Sequence, residues 1–206
     1  MSLQGSLFEA ENTGKEIILI ADELIYYPQF FSIADSNRYW QILLDTINWK
    51  QASMMMYGRE VLFPRLMAWY GDAATSYGFS GNTFTPNPWT DTLLEIKERI
   101  RQVSESPFNS VLLNYYRNGN DSMGWHADDE PELGQNPVIA SINFGATRRF
   151  LLRQTKNHSV KHEIAMQHGS LLLMKGTLQH HWEHQVPKTA KPVEGRINLT
   201  FRYIYT

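Results

Sequence analysis

After Pro107 the chain becomes a succession of short apolar or alternating runs cut by turn-forming residues, and this texture restricts the fold more than any other feature. The runs at 109–117, 137–144, 147–154, 160–167, 170–175 and 194–205 have the length and the β-branched and aromatic content of strands. Gly119, Pro137, Gly145 and Gly169 interrupt the chain between several of them. Many short strands at even spacing point to a sandwich or jelly-roll barrel rather than a parallel α/β sheet.

Upstream the period changes from two to about 3.6 in two places. Ser32 and Asp35 read as a capping box, and Tyr39, Trp40, Leu43, Leu44 and Ile47 follow at helical spacing, predicting a helix over 34–47. Thr90 reads as the N-cap of a second helix over 91–104, with Leu93, Leu94, Ile96, Ile100 and Val103 largely on one side. Between them, 51–89 is rich in aromatics, Gly and Pro and reads as short strands and long loops, while 1–16 is a polar lead-in. The expectation is a mainly β chain with flanking helices (α+β), a single domain over 1–206 whose helices pack outside a β core.

Composition sets the remaining bounds. With 42% apolar and 13% aromatic residues in 206, the chain can bury a sizeable core, which excludes a disordered or fibrous protein. Ile17 to Ile20 is an apolar run of four, far below the roughly 18 residues that span a bilayer. No basic flank precedes a long apolar stretch at the N-terminus, so neither a secretory signal nor a membrane partner is expected. The absence of cysteine excludes disulfides, thiolate metal sites and a cysteine nucleophile. The expectation is a cytoplasmic protein, or a nuclear one in a eukaryote, acting as a monomer. The net charge of −2 hides an asymmetry: residues 1–144 carry 9 Lys+Arg against 18 Asp+Glu, and residues 145–206 carry 10 against 3. A polyanion contact from the C-terminal part is thereby permitted, though charges that interleave in one fold would mix on its surface.

Two motifs carry chemistry. In Trp125-His126-Ala127-Asp128-Asp129-Glu130, an extended chain puts His126 and Asp128 on one face, where imidazole and carboxylate can chelate one metal ion. A surface turn produces such a pair as readily, so a third ligand must decide, and three histidines cluster in Gln179-His180-His181-Trp182-Glu183-His184. Two histidines and one carboxylate form the facial triad of non-haem Fe(II) oxygenases, which leaves positions open for a co-substrate and O2. The second motif is the strand Gly195-Arg196-Ile197-Asn198-Leu199-Thr200-Phe201-Arg202, whose alternation puts Arg196, Asn198, Thr200 and Arg202 on one face. Solvent would satisfy that face; inside a barrel, two guanidinium groups require anions, and a dicarboxylate would satisfy both. Asn114 and Tyr116 share a face of another strand and can add hydrogen bonds.

From about Met54 to the C-terminus, the chain resembles the AlkB-type Fe(II)- and 2-oxoglutarate-dependent dioxygenases, closest to the branch that repairs alkylated DNA. The resemblance rests on Asn114-Tyr115-Tyr116, His126 to Glu130, Ile139 to Gly145, His168 to Leu172, His181 to His184, and Arg196 through Arg202. It implies a double-stranded β-helix, or jelly roll, as the catalytic core over 90–206. It implies that His126, Asp128 and His184 hold iron, and that Arg196 and Arg202 anchor the 2-oxoglutarate carboxylates with help from Asn114, Tyr116, Asn198 and Thr200. His181 then has a structural role, His168 serves a turn, and His158 and His162 lie at the surface. The implied reaction consumes O2 and 2-oxoglutarate, releases succinate and CO2, and hydroxylates an alkyl group on a base nitrogen, the adduct collapsing to an aldehyde and a repaired base.

The resemblance also makes 51–89 a nucleotide-recognition lid, through Met56-Tyr57-Gly58-Arg59 to Pro64-Arg65, Tyr70-Gly71-Asp72 and Tyr77 to Gly81. It implies that Tyr57 fills the gap left by an extruded base, a stacking contact worth about 1–3 kcal/mol. Arg59 and Arg65 would grip phosphates, Tyr77 or Phe79 would line the base pocket, and Asp129 would face the base and favour a cationic lesion, with Glu130 as its substitute. An aromatic, Met-rich stretch is also ordinary core, and a pI near 6.4 is low for a duplex binder. The expected partner is nucleic acid, DNA first and RNA second. Other readings are a dioxygenase acting on RNA, protein, lipid or a small molecule, and a jelly-roll binding module without catalysis.

Overall fold

A computed structural model describes residues 16–205 apart from 57, 76, 80 and 81, and leaves the side chains of 54, 56, 77–79 and 82–84 outside the description. In chain order the elements are β1 (Ile17–Ile20), β2 (Leu24–Tyr27), α1 (Ile33–Thr46), β3 (Ser53–Met56), β4 (Arg59–Leu62), β5 (Leu66–Gly71), β6 (Tyr77–Phe79) and β7 (Asn82–Phe84). There follow α2 (Asp91–Ser104), β8 (Ser110–Tyr116), β9 (Met123–His126), β10 (Ile139–Gly145), β11 (Arg148–Gln154), β12 (Lys161–Met166), β13 (Ser170–Met174), the single turn α3 (Leu178–His181), β14 (Trp182–Val186) and β15 (Arg196–Arg202). A seven-stranded sheet runs β1-β2-β13-β10-β15-β8-β5, and a four-stranded sheet runs β12-β11-β14-β9. Every ladder in both is antiparallel, and the arrangement is the expected jelly roll with helices outside it.

Period-two alternation divides the large sheet into two chemically different faces. On β15, Ile197, Leu199 and Phe201 join the cluster formed by Tyr39 and Leu43 of α1 and by Leu93, Ile96 and Ile100 of α2. Arg196, Asn198, Thr200 and Arg202 face the other way, into the space between the sheets. On β8, Val111 and Leu113 lie on the helix side while Leu112, Asn114 and Tyr116 face inward. The helices therefore occupy the apolar face, and this leaves the polar face of the same strands to line a cavity. Ser32 caps α1 by accepting from the Asp35 backbone N–H, and Thr90 caps α2 by accepting from Leu93. One glycine fixes how close α1 approaches: Gly145 has φ +88°, and a Cβ there would lie 2.6 Å from Trp40 Cζ3.

Four strands depart from the expectation. β1 and β2 extend the large sheet from within 1–50, which the sequence reading left as a lead-in and helix; β2 pairs with β13 along its whole length. Their four-residue length, without turn signals on both sides, hides them. β9 and β14 are also strands, and they pair with each other. Within 51–89, β5 belongs to the large sheet as the neighbour of β8, so this segment is part of the barrel wall as well as two hairpins, β3–β4 and β6–β7. No helix among the described residues is long and apolar enough to cross a membrane.

Leu199 is fully buried on the helix side of β15, whereas Leu94 of α2 is 41% exposed. Leu199→Ala is expected to lower unfolding stability by about 2–5 kcal/mol, and Leu94→Ala by less than about 0.5 kcal/mol. Chemical denaturation measures both, and equal losses would mean that the helices do not seal this face.

Candidate active site

His126 and His184 stand directly opposite each other on β9 and β14, with ring centroids 4.2 Å apart. Asp128 lies beyond the end of β9, so it reaches the same point from a loop rather than by strand alternation. The ligand atoms of the three residues all lie within 4.8 Å of one another, with His184 Nε2 3.9 Å from Asp128 Oδ2. Of the three candidate histidines in the 179–184 cluster, His184 is the one turned inward. His180 and His181 are exposed, and His180 Nε2 meets Asn136 Oδ1 at 3.0 Å.

The surroundings set the protonation states a metal requires. His126 Nδ1 lies 2.9 Å from the Gly124 carbonyl oxygen. Since a carbonyl only accepts, this contact puts the proton on Nδ1 and leaves the Nε2 lone pair for coordination. His184 is buried and stacked against Phe150 at 5.1 Å. Burial, with His126 beside it, pushes its pKa down to about 3 against the opposing pull of Asp128, so it is neutral. Burial would raise the Asp128 carboxyl, but Arg202, His184 and His126 outweigh it and hold the group below the ordinary carboxylate range. Arg202 does this by donating from Nη2 to Asp128 Oδ1 at 2.6 Å. Arg202 thus orients the carboxylate ligand as well as lining the cavity, a partner the sequence reading did not give it.

Arg196 sits in the same cavity, 1% exposed. Its Nη2 donates to Asn143 Oδ1 and its guanidinium carbon stands 5.0 Å from the centre of the Tyr116 ring. Nε and Nη1 are buried without a hydrogen-bond partner among the described residues. Burial pushes its pKa down to about 10, Tyr116 opposing the fall, so the group remains a cation at neutral pH. A buried cation with two idle N–H donors fits a carboxylate, which accepts two parallel hydrogen bonds. The cavity these side chains share is small, about 40 Å³.

The other residues singled out in the sequence divide clearly. Asn114, Tyr116 and Thr200 line the cavity as expected. Asn198 lines it too, but its amide N–H groups face β10, toward Ser141 Oγ at 2.8 Å and the Ile142 carbonyl at 3.0 Å, so it braces the wall instead of donating to a co-substrate. Thr200 in turn donates to Asn198 Oδ1 at 3.2 Å. Arg65 is a correction: it is 3% exposed and donates to Asn114 Oδ1, so it does not face a phosphate on the surface. Arg59 and Asp129 are exposed. Tyr57 lies outside the described residues, as do the side chains of Tyr77 and Phe79. His168 serves the turn at Gly145, whose N–H donates to His168 Nδ1 at 2.8 Å.

Gln179 escaped sequence reasoning. It is buried, its Oε1 accepts from the Asp128 backbone N–H at 2.9 Å, and its Nε2 faces Met174 Sδ at 3.6 Å. The contact joins residues 51 apart, so no local spacing announces it. Arg202 thus restrains the side chain of Asp128 and Gln179 its backbone.

Two histidines and a carboxylate with open positions suit Fe(II), and the neighbouring cation suits an acidic co-substrate. The comparison with known families agrees, for the chain belongs to the 2OG-Fe(II) oxygenase superfamily, whose model matches residues 23–202. Membership implies Fe(II), 2-oxoglutarate and O2, and the His126–Asp128–His184 donor set fits the iron. The chain is 40% identical over 188 residues to the human alpha-ketoglutarate-dependent dioxygenase alkB homolog 3, covering 87% of this chain and 65% of that protein. It is 37% identical over 188 residues to the human DNA oxidative demethylase ALKBH2, covering 86% and 72%. It thus spans about two thirds of the length of these relatives. The solved structure of OsALKBH1 has the same fold, with a TM-score of 0.61 at 18% identity, over 92% of this chain and all of that one.

Gln179→Leu is expected to weaken metal binding about ten- to a hundredfold while leaving the fold intact. Titration with Mn(II) beside a thermal melt measures this, and unchanged affinity would leave Asp128 positioned by Arg202 alone.

Proposed function

We propose that the chain is an Fe(II)- and 2-oxoglutarate-dependent dioxygenase that removes alkyl groups from ring nitrogens of nucleic-acid bases, in DNA first and RNA second. The observation that carries this reading is one cavity joining a His126–Asp128–His184 cluster to a buried cation, Arg196, with idle donors. The name of the relative ALKBH2, a DNA oxidative demethylase, supports the choice of substrate.

His126, Asp128 and His184 would hold the iron. Iron so held supplies the oxygen activation that is coupled to conversion of 2-oxoglutarate and O2 into succinate and CO2, with the second oxygen atom entering the alkyl C–H bond. The residues of the chain bind and orient. Arg196 takes the remote carboxylate of 2-oxoglutarate on Nε and Nη1, and the Asn114 amide adds donors from the neighbouring strand. Arg202 and Gln179 keep Asp128 fixed, and Phe150, Met123 and Val186 give the cavity apolar walls. The hydroxylated N-alkyl group is a hemiaminal; it releases an aldehyde as the C–N electron pair returns to the ring nitrogen, and from a cationic lesion the hydroxyl proton passes to solvent.

Exposed Asp129, next in the chain to Asp128, is assigned to favour a base that alkylation has made cationic. The β3–β4 hairpin has exposed apolar side chains, Met55 at 65%, Val61 at 41% and Leu62 at 57%, and an exposed cation, Arg59, which shares a face with Val61 and could meet a phosphate. Tyr57, outside the described residues, is assigned the gap left by the extruded base. We place the activity in a monomer, in the cytoplasm or in the nucleus of a eukaryote.

The test supplies Fe(II), ascorbate and 2-oxoglutarate in air with 1-methyladenine- and 3-methylcytosine-containing oligonucleotides, single- and double-stranded. Lesion loss matched by succinate is the expected result. Succinate without lesion loss would keep the oxygenase and remove the nucleic-acid substrate. Asp128→Ala is expected to abolish turnover. Tyr57→Ala is expected to lower it more on duplexes than on single strands, and an equal loss on both would remove Tyr57 from the gap-filling role.

A further inference from the structure

Arg65 is a buried guanidinium hydrogen-bonded to neutral oxygens and set over a ring, with the Asp121 carboxylate adding electrostatic attraction. Nε donates to Asn114 Oδ1 at 2.6 Å, Nη1 donates to the Ser122 carbonyl at 3.2 Å, and the guanidinium carbon stands 5.0 Å from the centre of the Phe63 ring. Burial lowers its pKa from the ordinary value. Burying a cation in this way is costly unless its contacts are well made. What those contacts achieve therefore requires an explanation beyond packing.

We propose that Arg65 is a positioning residue for the co-substrate and acts through Asn114. A guanidinium carries donors only, so the Asn114 atom that faces it must be the oxygen. The planar amide then presents its N–H groups away from Arg65, on the side of the cavity that Asn114 shares with Arg196. A carboxylate offers acceptors only, so this orientation attracts it, whereas an amide turned by 180° would set oxygen against oxygen. The charged donor also polarises the amide and strengthens its N–H groups as donors.

The rest of the local structure holds Arg65 to this task. Pro64 accepts from the Ser122 backbone N–H at 2.9 Å while Arg65 donates to the carbonyl of the same residue. The end of the β3–β4 hairpin is thus bolted to the residue that immediately precedes β9, the strand that carries His126.

This inference rests on reading the cavity as a 2-oxoglutarate site, and the experiment separates the two. Calorimetry of 2-oxoglutarate binding to Mn(II)-loaded protein compares the unaltered chain, Arg65→Met, Asn114→Ala and the double variant. Arg65→Met and Asn114→Ala are each expected to weaken binding about tenfold, with the double variant no weaker than Asn114→Ala. Mn(II) affinity is expected to be the same in all four. Undiminished affinity in Arg65→Met, or a loss that is just as large when Asn114 is already absent, would overturn the positioning role. Absence of 2-oxoglutarate binding by the unaltered chain would overturn the cavity reading itself. Should Arg65→Met fail to fold, Arg65→Lys, which keeps the charge but loses the planar fork, enters the same cycle. A loss confined to the background that retains Asn114 supports the role, and any other pattern overturns it.

Discussion

The burial of Arg196 is the constraint from which most of this structure follows. Moving a guanidinium out of water costs several kcal/mol even after relaxation, and the cost must be offset where the side chain lies. Asn143 and the face of Tyr116 offset part of it, and they leave Nε and Nη1 without hydrogen-bond partners among the described residues. Arg196 can point inward at all because its neighbours Ile197, Leu199 and Phe201 find an apolar layer on the other face of β15. The helices α1 and α2 supply that layer. Their role is to make one face of the large sheet dry, so that the opposite face is free to be polar and to bind an anion.

The same economy governs the metal cluster. β9 and β14 bring two imidazoles opposite each other by strand pairing, which fixes backbone positions closely. The carboxylate comes from a loop, and a loop needs added restraint. Arg202 restrains its oxygen and Gln179 its backbone, so the chain builds around Asp128 a support that the histidines obtain from the sheet. Arg65 stands in the same relation to Asn114. In each case a polar group far away in sequence determines which atom of a binding residue faces the cavity.

Period and capping made the architecture readable. The six strands read after Pro107 are present, and the second helix runs from Asp91 to Ser104 as its Thr90 cap and apolar spacing indicate. Strands without such marks were not readable: β1 and β2 are too short and too uniformly apolar to show alternation. The His126-x-Asp128 pair and the Arg196–Arg202 alternation were legible as local patterns, whereas His184 was singled out among three neighbouring histidines by the family resemblance. Gln179 and the true position of Arg65 were not, since both depend on contacts across 49 to 51 residues of chain that only the fold brings together. Arg65 also shows why residue type misleads: an arginine near aromatic residues suits a phosphate and suits an amide oxygen equally well until its burial is known.

The most direct measurement is a crystal structure grown without oxygen in the presence of Mn(II) and 2-oxoglutarate. The account predicts the metal on His126, Asp128 and His184, and a carboxylate on Arg196 Nε and Nη1 within the same cavity. A metal bound elsewhere, or a co-substrate that leaves those two nitrogen atoms without an anion, would contradict it.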